Sequence, residues 1–75
     1  MPRYFFHVPN ASPDAEGTEL RDIHAAREAA VCLGGEMLRE LDGKFWDAPI
    51  WQLQVADHEQ RVLFTLTFSA QDAAP

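Results

Sequence analysis

Seventy-five residues make one domain, near the lower size limit for folding alone. Twelve acidic against six basic side chains leave a net charge of −6, which argues against nucleic-acid binding, where a basic patch supplies most of the affinity. No apolar run approaches the ~20 residues of a membrane span, the N-terminus lacks a signal-peptide pattern, and the lone cysteine, Cys32, rules out an intrachain disulfide.

These absences point to a reducing cytoplasm. They also sharpen a question of stability. In so short a chain, apolar burial and lost conformational entropy nearly cancel, and small domains close the gap with disulfides, a metal or oligomerisation. The first is excluded, and no Cys/His cluster has metal-ligand spacing. Oligomerisation is the economical remedy.

"RYFFHV" (Arg3 to Val8) reads as a strand with aromatic surface on both faces: Tyr4, Phe6 and Val8 on one, Arg3, Phe5 and His7 on the other. The stretch from Pro9 to Gly17, with two prolines, Asn10, Ser12 and Asp14, is turn and loop material. "GTEL" (Gly17 to Leu20) is long enough only for a brief second strand beside the first.

Asp22 is placed as an N-cap, its carboxylate free to accept the first backbone N–H groups of a helix from about Ile23 to Leu41. Ile23, Ala26, Ala30, Leu33, Met37 and Leu41 recur at steps of three or four and form one apolar stripe; Glu28, Glu36, Arg39 and Glu40 take the wetter side. Gly43 is the expected C′ residue. Gly34-Gly35 interrupts the helix at ~1 kcal/mol each relative to alanine, and close approach of the backbone to a sheet explains it better than a kink. Cys32, amid Val31, Leu33 and alanines, reads as a buried, inert thiol.

Two alternating runs follow. Trp51, Leu53 and Val55 share a face against Gln52 and Gln54; Val62, Phe64, Leu66 and Phe68 share a face against Leu63, Thr65 and Thr67. "DHEQ" between them is a turn, giving a β-hairpin. Trp46, in the connection after the helix, either caps the core edge or lies exposed. "SAQDAAP" reads as a frayed tail.

Together these segments resemble DUF6894, a family of small bacterial proteins of unknown function. The likeness rests on "PRYFFHV", on "DAEGTELRD" running into "AAREAA", and on the terminal "VADHEQRVLFTLTF". The resemblance implies a short stand-alone cytoplasmic domain with no assigned activity or catalytic residues. The family pattern usually has glycine where this chain has Gln60, so Gln60 is expected either to adopt a positive φ at some cost or to sit in a different turn. HicB-type antitoxins share the order of an aromatic strand and a helix, though none of their motifs.

The expected fold is α+β: an antiparallel sheet of three to four strands with one long helix packed on one face, β-(β)-α-β-β, formed by residues 1–70 with 71–75 as a tail. The candidate chemistry is sparse. His7 carries an imidazole, a side chain suited to ligand binding or acid–base work, but on such a strand it is more often a hydrogen-bonded surface or interface residue. Asp57, His58 and Glu59 are the only compact metal-capable trio, yet on a hairpin turn they splay into solvent. No catalytic residue, cofactor or metal is expected. One helix covers one sheet face, so Phe5, His7 and Leu63, with Trp46 nearby, are the candidate interface of a non-enzymatic module that forms a homodimer. The alternative is an antitoxin-like partner that masks a basic protein surface with Glu28, Glu36 and Glu40. A small-ligand pocket between helix and sheet is a third reading.

Overall fold

Period-2 alternation produces strands and a 3.6-residue stripe produces a helix, and the computed structural model contains both where the pattern puts them. The structure describes residues 1–9, 11 and 13–74; Asn10 and Ser12 of the Pro9–Gly17 loop and Pro75 of the tail lie outside the described residues. The strands are β1 (Arg3–His7), β2 (Thr18–Glu19), β3 (Ile50–Ala56) and β4 (Val62–Ser69), in one sheet of order β2-β1-β3-β4. Every neighbouring pair is antiparallel. The brief second strand therefore forms, as a two-residue edge, and Val8 lies just past the end of β1.

The helix, α1, runs Ile23–Glu40 without interruption. Asp22 caps it as the sequence predicts, its Oδ1 accepting the Ala25 N–H at 2.9 Å. At the other end Leu41 is the C-cap, so the C′ position falls on Asp42, at φ +53°, and Gly43 follows at φ +86°. Glycine is thus one residue later than expected, and two successive left-handed residues turn the chain into a short 3₁₀ helix, Lys44–Asp47.

Tyr4, Phe6, Leu53 and Val55 from the sheet meet Ala26 and Ala30 from the helix in the buried core, with Ile23, Leu33, Trp51, Phe64 and Leu66 packed around them. Small residues at 26, 30 and 34 let α1 settle close to the sheet. A Cβ on Gly34 would lie 2.9 Å from the Phe68 ring and 3.6 Å from Trp51, whereas one on Gly35 would meet nothing within 4 Å. Close approach explains Gly34; Gly35 is open to solvent. Phe68 and Trp51, edge-to-face at 5.8 Å, form the platform beneath Gly34.

A β-bulge breaks the expected alternation in β4. Val55 lies opposite Phe64, but Ala56 lies opposite Val62, leaving Leu63 without a partner. Val62 therefore joins the outer row with Ala56 and Phe5, not the inner face with Phe64.

Candidate functional site

The outer face of the sheet, opposite α1, is where the apolar surplus was expected. Two rows cross it: Phe5, Ala56 and Val62, then His7, Gln54 and Thr65. Phe5 is not uncovered, as its alternation implied; it is only 9% exposed. The chain's own loop covers it. Gly17, at φ +70°, lies so close that a Cβ there would stand 2.9 Å from the Phe5 ring and 2.9 Å from the Tyr4 carbonyl oxygen. Phe5 also stacks on His7, centroids 6.2 Å apart and planes within 7°.

Asp14 folds that loop onto the edge of β1. Beyond the two residues of β2, the Phe6 N–H donates to Asp14 Oδ2 at 3.2 Å. The Gly17 and Glu16 N–H groups donate to Oδ1 at 3.0 and 3.3 Å. Partial burial alone would raise the Asp14 pKa, but the hydrogen bonds from Gly17, Phe6 and Glu16 outweigh it and hold the carboxyl below its ordinary value. One side chain thus substitutes for a longer edge strand.

His7 joins this loop to the hairpin. The Asp14 N–H donates to Nδ1 at 3.2 Å, so Nδ1 is an acceptor and the ring proton sits on Nε2, which donates to Gln60 Oε1 at 3.0 Å. Both ring nitrogens are committed within the domain. Gln60 adopts φ +65°, the positive value expected where the family pattern has glycine. Its N–H donates to the Asp57 carbonyl at 2.9 Å, closing the turn.

Of the remaining candidates, Leu63 is 45% exposed and its neighbour Val62 52%. Trp46 is 65% exposed, edge-on to Phe45 at 5.5 Å, so the exposed alternative holds. Cys32 was expected to be buried and is instead exposed. The core line of the helix runs through Ala26, Ala30 and Gly34, and a residue two past Ala30 points well away from it. In the metal-capable trio, Asp57 Oδ1 accepts the Glu59 and Arg61 N–H groups and Oδ2 accepts from the Arg61 guanidinium. The Arg61 backbone bond leads the causes that depress its pKa. Among the described residues, no three His, Cys, Asp or Glu side chains converge as metal ligands.

Two features take form only in the structure. One is the free edge of β4, an outer strand of eight residues with no charge and no proline. The other is an apolar groove of about 660 Å³ between the C-terminal half of α1 and the sheet, where the third reading put a pocket, walled by Phe6, Val8, Leu33, Met37, Leu41 and Trp51. Its apolar walls could be found from the two periodicities, but not the space between them.

The geometry defines a small α+β domain, one helix on a four-stranded antiparallel sheet, with an internally bonded polar network along its first strand. A family model described as "Domain of unknown function (DUF6894)" matches residues 3–69, and the chain belongs to that family. Neither the curated proteins nor the solved structures hold a significant match. No helix among the described residues is long and apolar enough to cross a membrane.

Proposed function

We propose that the protein is a non-enzymatic interaction module that self-associates as a homodimer, with the free edge of β4 as the contact. The observation that carries this reading is the unprotected edge: eight residues, Val62–Ser69, without the charges or proline that usually guard such strands. In an antiparallel ladder, half of an edge strand's N–H and C=O groups point away from its one partner. Pairing β4 with its counterpart about a two-fold axis bonds those groups and makes one eight-stranded sheet with both helices on the same side. Val62 and Leu63, at the start of β4, add apolar surface at both ends of the contact, and β4 itself brings no charge to the seam. Phe5 supports the edge from within the monomer, and His7 through the hairpin turn.

Light scattering after size exclusion tests this at micromolar concentration. The expected mass is twice the 8.5 kDa of the chain, falling to one copy in L63K/T67K, which brings like charges together across the axis. A wild-type monomer would overturn the reading. The exposed acidic helix face, with Glu28, Glu36 and Glu40 outside any ion pair among the described residues, favours a second reading as a partner for a basic protein surface. Neutralising the three together should then abolish co-purification of that protein.

A further inference from the structure

We propose that the groove between α1 and the sheet binds a small molecule with an apolar body and a cationic head, such as an aryl-alkyl amine. The inference is independent of the dimer, because the groove lies on the helix side of the sheet and β4 contributes none of its lining.

The apolar half of the argument is the packing defect. The stripe predicted to seal the core does so only at its N-terminal end, where Ala26 and Ala30 are fully buried. Toward the C-terminal end, Leu33, Met37 and Leu41 remain partly exposed, and so do Val8 and Trp51 across from them. These side chains face a hollow of about 660 Å³, within the range of small-molecule sites. Gly34 contributes to it, since the aromatic pair beneath its missing side chain holds Trp51 at the groove wall.

The charge half comes from the polar lining. Among the described residues, Asp14, Thr18 and Glu40 supply it, and no Lys, Arg or His does. Asp14 is already committed to three backbone N–H groups, but Glu40 is exposed and has no ion-pair partner among the described residues. An entering cation therefore meets an unpartnered carboxylate at the end of α1 beside an apolar wall that includes an indole, whose face also attracts positive charge. Among the described residues, an anionic head would meet two like charges and no compensating donor side chain except the Thr18 hydroxyl.

Three probes with one body and different heads test the proposal: 4-phenylbutylamine, 4-phenylbutanol and 4-phenylbutyrate, titrated into the ¹⁵N-labelled full chain. The expected result is saturable shifts at the Trp51 indole and at the Leu33, Met37 and Leu41 amides, with affinity in the order amine, alcohol, acid. Glu40→Gln should weaken the amine by about three- to tenfold and leave the alcohol unchanged, as loss of one partly screened charge requires. Met37→Trp should fill the hollow and abolish binding of all three. Equal affinities for amine and acid, shifts centred on Trp46 or β4, or no saturable binding would each overturn the proposal. Because Glu40 is exposed, its variant keeps the test decisive even where Met37→Trp disturbs folding.

Discussion

Gly34 and Gly35 are chemically identical neighbours in one helix, and their surroundings give them opposite roles. Alanine at position 35 meets open space and gains helix propensity, so G35A should raise stability by about 0.5–1 kcal/mol. Alanine at 34 must displace the Phe68 ring, and overpacking outweighs the same gain, so G34A should cost about 1–2 kcal/mol. Urea denaturation of the two variants checks the difference in sign. Gln60 follows a similar logic. Its left-handed backbone is strained, and the side chain that glycine would lack returns part of that cost through its bond to His7. The ring proton on Nε2 is itself observable: ¹⁵N shifts of His7 at neutral pH should report the Nε2–H tautomer, and an Nδ1–H ring would contradict the bond from Asp14.

At the scale of the element, much was legible before any coordinates. The Asp22 cap, the span of α1, the hairpin and the face carrying Trp51, Leu53 and Val55 all follow from local chemistry and periodicity. D22A should lower the melting temperature by about 4–8 °C and D22S by much less, since serine keeps an acceptor for the Ala25 N–H. Where the reading failed, the cause lay beyond one element's period. Phe5 is covered because Asp14 and Gly17 fold a loop over it, and such tertiary coverage leaves no periodic mark. Val62 changed faces because a bulge inserted Leu63, a register decision made between two strands. Cys32 was a different kind of miss: the helical wheel already put it opposite Ala30, and the apolar neighbourhood in sequence overrode that signal. Of the candidate site, Leu63 was placed on the surface and is exposed, Trp46 was left open between core edge and surface, and the free β4 edge depends on strand order, which alternation does not encode.

For the molecule as a whole, three aspartates tie the irregular segments together: Asp14 the first loop, Asp22 the helix start, Asp57 the hairpin turn. Backbone hydrogen bonds depress all three below the ordinary 3.8, against the opposing effect of desolvation. A carboxyl with a lower pKa folded than unfolded stabilises the fold above the unfolded value, and this stabilisation is lost as pH falls through the folded one. Stability should therefore hold down to about pH 5 and decline progressively below about pH 4. In urea titrations across that range, D14N should start less stable at neutral pH and show a shallower acid decline. An equally steep decline in D14N would remove Asp14 from the account.

The sheet order also has a consequence in time. β1 is the first strand in the chain, yet it lies inside the sheet, and roughly fifty residues separate Phe5 from its partner Ala56. The β3–β4 hairpin can close locally, and β1 can meet early only the two residues of β2; its other edge has no partner until that hairpin exists. During synthesis its aromatic run leaves the ribosome before the other three strands and waits for β3. An aromatic-rich strand thus keeps one edge open until the final third of the chain arrives, and chaperones or premature self-pairing have their opportunity in that interval.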